Sequence, residues 1–197
     1  PWIIQETIAN IPHLNISFCT TLSKLSNDPG MAAFAALGAV HSGVKYVKVE
    51  LYDFKSVLQS VEVMRAIVRT CKEYNSETTV IATSYADYQY GNGLSPEELI
   101  KVAVLSEADM VMLDTLAKDL FDVLNTQQLK KFVRTAHEAG LKVALAGAVK
   151  VEHLEALASI EVDIVGVHSA VCDAHDHSLA INPEKIKRFI EIAEHIC

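Results

Sequence analysis

Six apolar, β-rich runs recur along this chain at nearly constant intervals: residues 15–22, 46–52, 78–84, 109–115, 142–149 and 163–171, whose starts are 31, 32, 31, 33 and 21 residues apart. The interval is close to one strand plus one helix. Helical signals fill the gaps. Val57, Val61, Met64 and Val68 fall on one face of a helix that Asp53 is expected to begin. Ser95-Pro96-Glu97-Glu98 combines a Ser cap, a Pro in the first turn and a Glu placed to close a capping box. Leu129, Phe132, Val133 and Ala136 form a third stripe, ended by Gly140. Asn182-Pro183-Glu184 opens the last helix, with Ile186, Phe189, Ile190, Ala193 and Ile196 on its expected buried side.

Strands alternating with helices call for a parallel sheet, either open and doubly wound or closed as a (β/α)₈ TIM barrel. No strand is followed by the G-x-G-x-x-G spacing of a dinucleotide loop. The run from Tyr46 to Tyr52 puts Val47, Val49 and Leu51 on one face and Lys48 and Glu50 on the other. In a sheet covered by helices on both sides, the second face would bury two charges at a cost of several kcal/mol. In a barrel it faces the interior, so the barrel is favoured. A barrel needs eight strands and typically about 250 residues. This chain offers six, and Trp2 to Ile8 reads as the end of a helix. The expectation is an α/β, (β/α)₈ TIM barrel as a single domain over residues 1–197, N-terminally incomplete, with the first two strands, about 40 residues, missing. Pro1 in place of an initiator Met agrees with it.

Composition narrows the function classes. The 197 residues are 50% hydrophobic and 21% charged, with a net charge of −8. That excludes a disordered chain and offers no basic stripe for nucleic acid. No uncharged stretch reaches the roughly 20 mainly apolar residues of a membrane span, and no secretory signal is visible. Cysteines 19, 71, 172 and 197 lack paired spacing, which favours a reduced, cytoplasmic protein.

Barrel chemistry sits at the C-terminal ends of strands. The polar residues there are Thr20 and Thr21, Lys48 and Glu50, Ser84, Tyr85 and Asp87, Asp114 and Thr115 with Lys118, Gly147, and His168 with Ser169. Two lysines and a carboxylate at one mouth suit carbonyl chemistry, because a desolvated Lys can attack a carbonyl or abstract a proton. Lys48 can equally be a charge paired with Glu50 or a neighbouring strand. Asp114 either caps a short helix running to Leu124 or hydrogen-bonds Lys118 one turn on. Backbone N–H groups near Gly147 and Gly166 are candidates for holding a phosphate, though packing explains small residues there as well. Tyr85, Tyr88 and Tyr90 either line a mouth or pack on a loop. Residues 168–177 are rich in His and Asp but lack the spacing of a zinc site, so no metal and no cofactor are expected.

These residues carry a family resemblance. Ala35-Ala36-Leu37-Gly38-Ala39 with Ser42-Gly43 leading into Tyr46-Val47-Lys48-Val49, then Tyr85-Ala86-Asp87, Met112-Leu113-Asp114-Thr115 with Lys118, Leu145-Ala146-Gly147 and Asp163-Ile164-Val165-Gly166-Val167 resemble the (5-formylfuran-3-yl)methyl phosphate synthases. The resemblance implies a barrel that condenses two molecules of glyceraldehyde 3-phosphate, losing phosphate and water, in methanofuran biosynthesis. By it, Lys48 matches the family's proton acceptor, and Asp114 and Lys118 match an acid and a lysine near the substrate. The family's Schiff-base lysine ends the second strand, which would precede Pro1. Three departures stand out: Glu50 replaces a Gly, His168-Ser169 replaces an Arg-Gly pair, and residues 173–177 replace a Gly-rich basic turn. A carboxylate beside Lys48 favours the charged amine, and a His cannot clamp phosphate bidentately as Arg does.

The leading expectation is therefore a lyase with Lys48, Asp114 and Lys118 as catalytic residues and Thr20, Gly147, Gly166, His168 and Ser169 around substrate and phosphate. Its partner would be a small phosphorylated aldehyde, and its assembly a homo-oligomer. The alternatives are a catalytically degenerate barrel kept for binding or assembly, and a Schiff-base aldolase for another phosphorylated carbonyl compound.

Overall fold

The computed structural model describes residues 2–12, 17–20, 28–54, 56–90, 93–173 and 178–196, with the backbone alone for 17–20. Among them six strands form one sheet: β1 (Ser17–Thr20), β2 (Tyr46–Glu50), β3 (Thr79–Tyr85), β4 (Met110–Asp114), β5 (Lys142–Leu145) and β6 (Ile164–Val165). Their order in space is their order in the chain, and every pairing is parallel. A doubly wound sheet reverses direction at a switch point, and the order of these strands does not.

Helices α1 (Trp2–Asn10), α2 (Pro29–His41), α3 (Val57–Tyr74), α4 (Pro96–Ser106), α5 (Leu120–Val123), α6 (Thr126–Glu138), α7 (Leu154–Ser159) and α8 (Pro183–Ile196) connect and flank the strands. The capping box of α4 is present: Ser95 Oγ accepts from Glu98 N–H and Glu98 Oε2 accepts from Ser95 N–H. The start of α3 is corrected. Ser56, not Asp53, caps it, accepting from Gln59 N–H, because Asp53 is spent on a left-handed turn at φ +61°. The stripe of α6 is buried, and Gly140 at φ +79° ends it. In α8, Phe189 is buried with Leu154 and Val171, while Ile190 is 49% exposed, so the helix covers a narrower stripe than its apolar spacing suggested. Strands β5 and β6 stop short of the expected runs. After β5 the chain turns through Gly147 and Ala148 at φ +111° and +47°, and after β6 it winds into a 3₁₀ turn, Ser169–Val171.

The two faces of the sheet divide cleanly. Val47 and Val49 of β2 with Leu51 just after it, Val80 and Ala82 of β3, Val111 and Leu113 of β4, and Val143 and Leu145 of β5 join the main core beneath the helices. Each such Val or Leu contributes about 1.5–3 kcal/mol by leaving water. On the other face Ile81, Met110 and Ala144 pack with Tyr46 and Met112 as a small separate cluster. Lys48 and Glu50 alternate with the buried valines and therefore share this inner face.

At the N-terminal ends of the strands two aspartates make equivalent stitches. Asp109 Oδ2 accepts from Val80 N–H at 2.7 Å while Oδ1 takes Lys72 Nζ at 2.8 Å. Asp163 Oδ2 accepts from Val143 N–H at 2.8 Å and lies 2.8 Å from His137 Nε2. Each ties a strand to its neighbour and to a helix.

Candidate active site

The opposite rim gathers the polar groups. Lys48 Nζ lies 3.4 Å from Glu50 Oε1 on its own strand and 3.2 Å from Asp114 Oδ2 two strands away. The register explains the reach: Lys48 pairs with Ile81 and Asp114 with Tyr85, so the lysine stem crosses β3 while leaning toward the strand ends. The side chains of Lys48, Glu50 and Asp114 are 15%, 11% and 25% exposed, so this cluster is largely shielded from solvent, unlike a surface ion pair. Among the described residues, the Lys48 ammonium faces both the Glu50 and the Asp114 carboxylate. Glu50's register neighbour is Thr83, whose hydroxyl is buried without a hydrogen-bond partner among the described residues.

Beyond β4 the chain is held tightly. Asp114 Oδ1 accepts from Thr115 N–H at 2.9 Å, and the buried Asp87 accepts from Leu116 N–H and Ala117 N–H with its two oxygens at 2.8 and 3.0 Å. Neither expectation for Asp114 and Lys118 is met. Helix α5 starts after Asp119, not Asp114. Lys118 turns instead to Tyr90, donating to its hydroxyl at 3.0 Å with the ammonium 5.0 Å from the ring centroid. The hydrogen bond and the charge of Tyr90 hold the Lys118 amine above the usual lysine range. Tyr85 sits edge-on to Tyr52, so of these tyrosines Tyr90 meets a charged site candidate.

A cleft of about 640 Å³ opens between the ends of β4, β5 and β6. Asp114, Lys118, Gly147, Gly166, His168 and Ser169 all line it, so the structure brings these sequence candidates together. Gly147 is required there: a Cβ would lie 2.5 Å from Thr115 Oγ1, and φ is +111°. At Gly166 a Cβ would lie 2.9 Å from that of Ala146, which is close strand packing. Thr20 ends β1 in register with Val49, and its side chain lies outside the described residues, as do residues 174–177. Lys150 was not among the candidates. It lines the same cleft, 2.6 Å from Asp119 Oδ2, and that carboxylate raises its amine above the usual range. No motif flags Lys150; its place three residues after Gly147 is the only signal. Lys118 also borders a second cleft of about 540 Å³ that includes Asp87 and Tyr90, so it stands on the wall between the two. Among the described residues no group of three His, Cys, Asp or Glu is placed to hold a metal, and no helix is long and apolar enough to cross a membrane.

The chain resembles known proteins over most of its length. A family model described as 4-HFC-P synthase matches residues 1–190. The (5-formylfuran-3-yl)methyl phosphate synthase of Methanobrevibacter smithii is 41% identical over 181 residues, covering 90% of this chain and 76% of its own length. That of Methanosarcina mazei is 37% identical over 193 residues, covering 96% and 82%. Among solved structures, an aldolase designated QR15 superposes with a TM-score of 0.67 at 13% identity, over 97% of this chain and 81% of that one. A 3-hexulose-6-phosphate synthase gives 0.66 at 15%, over 96% and 79%. At those identities the solved structures show a shared α/β fold.

Proposed function

The chain belongs to the 4-HFC-P synthase family, and from that membership we propose that it is a lyase making (5-formylfuran-3-yl)methyl phosphate from two molecules of glyceraldehyde 3-phosphate. The balance releases one phosphate and two waters. The observation that carries the reading is the Lys48 ammonium held by Asp114 across β3 on the inner face of the sheet, at the rim where barrel enzymes do chemistry. Lys48 is assigned acid–base work, Asp114 its orientation, and Lys118 a place beside the substrate. Backbone around Gly147 and Gly166, with Thr20, His168 and Ser169, is assigned to substrate and phosphate. Schiff-base chemistry is assigned to a lysine other than Lys48 and Lys118. The six strands are proposed as consecutive members of an eight-stranded barrel, in a cytoplasmic homo-oligomer.

The test is turnover of glyceraldehyde 3-phosphate by the full-length protein with and without Lys48→Ala. A loss of about 10²- to 10⁴-fold is expected for an acid–base residue. Unchanged activity removes Lys48 from the chemistry. A structure of the full-length protein closing with other than eight strands sinks the barrel assignment.

A second reading, a degenerate barrel kept for binding or assembly, is favoured by Glu50 against Lys48 and by His168 on the cleft wall. No turnover, together with no calorimetric binding of glyceraldehyde 3-phosphate at micromolar concentration, would select it. Borohydride trapping with other phosphorylated carbonyl compounds, followed by mapping of the modified lysine, would select an aldolase of different substrate.

A further inference from the structure

Two lysines border the cleft between the ends of β4, β5 and β6, and they are held differently. Lys118 donates to the hydroxyl of Tyr90, a residue that lines the second cleft and not this one. Lys150 is fixed at both ends. Its N–H donates to His153 Nδ1 at 3.2 Å, and the His153 ring lies against Phe121 with the centroids 4.3 Å apart. Its ammonium meets Asp119 Oδ2 at 2.6 Å, and Asp119 precedes α5, where Leu120 N–H donates to Gly147 O at 3.0 Å. The loops after β4 and β5 are thus joined twice, and Lys150 spans the joint.

A lysine free on a surface loses rotamer freedom when it binds an anion, whereas one already held by a carboxylate has lost much of it beforehand. An ammonium carries three N–H donors, and Asp119 takes one, so two remain for a ligand. The Lys150 side chain is 45% exposed on the cleft wall, within reach of a dissolved anion. The hydrogen bond and charge of Asp119 hold its amine above the usual lysine range, so it is an ammonium at neutral pH. Asp114 and Asp119 border the same cleft and repel an anion that does not lie on a cation, which makes the position of Lys150 decisive. A phosphate monoester brings nearly two negative charges and three acceptor oxygens. It suits a wall that bears this ammonium, the Ser169 hydroxyl and backbone without side chains at Gly147 and Gly166.

We propose that Lys150 is the charged ligand for the phosphate group of the substrate, and that through it this cleft selects phosphorylated over unphosphorylated aldehydes. The proposal rests on the function assigned above and adds a residue to its phosphate site. Backbone orients the phosphate, Lys150 supplies the countercharge, and Asp119 positions Lys150. No bond is made or broken in this contact, which is the same before and during the chemical step. Its loss therefore falls on KM rather than on kcat.

The test compares the full-length protein with Lys150→Met, Lys150→Arg and Asp119→Asn, reading calorimetric affinity for inorganic phosphate and the kinetics with glyceraldehyde 3-phosphate. Lys150→Met is expected to weaken phosphate binding and raise KM by about 10- to 100-fold, with kcat changed much less. Lys150→Arg keeps the charge and is expected to recover most of the affinity. Asp119→Asn keeps the cation and an oxygen to hold it, and is expected to stay within about threefold of the parent. Affinity and KM in Lys150→Met within about threefold of the parent overturn the proposal. So does an Asp119→Asn as impaired as Lys150→Met, since Lys150 then serves only the joint between the loops. Should Lys150→Met fail to fold, the ¹³Cε signal of Lys150 in the parent, identified by its loss in Lys150→Arg, decides: a saturable shift with phosphate supports the proposal and an unmoved signal overturns it. A parent that binds phosphate through Lys150 without turnover brings down the lyase reading alone, and turnover that Lys150→Met leaves intact brings down this assignment alone.

Discussion

Lys48 and Asp114 are 66 positions apart in the chain, yet their ammonium and carboxylate meet at 3.2 Å over the inner face of β3. Asp114 has a second task, since its other oxygen accepts from Thr115 N–H. An Asn can keep that second bond while losing the charge. Asp114→Asn is therefore expected to lower kcat by about 10²-fold or more with little loss of stability. The pair acts as a unit, so combining it with Lys48→Ala should cost much less than the two losses added together. Steady-state kinetics on the full-length protein and its three variants decide the point; strict additivity would show that the two residues act independently.

Gly147 allows the chain after β5 to pass Thr115. In Gly147→Ala the new methyl would meet Thr115 Oγ1 at 2.5 Å and Cγ2 at 2.8 Å, and φ of +111° is unfavourable for alanine. A destabilisation of about 1–3 kcal/mol is expected from the backbone alone. Thr115→Ala should relieve the contact but not the dihedral, recovering part of the loss. Urea midpoints of the single and double variants measure both components, and full recovery would show the backbone to be unstrained.

Tyr90 raises the Lys118 amine through its hydroxyl, with a further contribution from its charge. Removing the hydroxyl in Tyr90→Phe should bring the Lys118 titration back toward the ordinary lysine range while the ring stays under the ammonium. The ¹³Cε shift of Lys118 followed against pH reports it. An unmoved titration would mean that the hydroxyl does not hold the amine in solution.

Asp163 provides a pH signature. Burial pushes its carboxyl up, but the hydrogen bond from His137, the Val143 N–H and nearby positive charge outweigh it and hold the group below its usual value. A carboxyl lowered in the folded state adds stability that is complete above the unfolded value, about 3.9, and fades as pH falls through the folded one. The stability gap between the parent and Asp163→Asn should therefore be larger at about pH 5 than at about pH 3. Denaturant titrations at both pH values test it, and a gap independent of pH would refute it.

What could be read from residues alone was local. Strand alternation around Lys48, the capping box at Ser95 and Glu98 and the buried stripe of α6 depend on neighbours a few positions away, and all appear in the structure. Asp53 misled because aspartate favours helix caps and left-handed turns alike, and the turn prevailed. The contacts that organise the rim are long-range. Whether Asp114 meets Lys118 or Lys48 depends on strand register and on the turn pinned by Asp87, neither of which spacing encodes. Lys150 escaped notice because a lysine in a loop becomes a site candidate only when the cleft beside it is known.

The stitches made by Asp109 and Asp163 lie at the end of the sheet remote from Lys48, Glu50 and Asp114. Fastening and the candidate site thus occupy opposite ends of the sheet. A substitution at the Lys48 end of the sheet leaves both stitches untouched. Side chains at that end can change without loosening the joints that hold the strands in register.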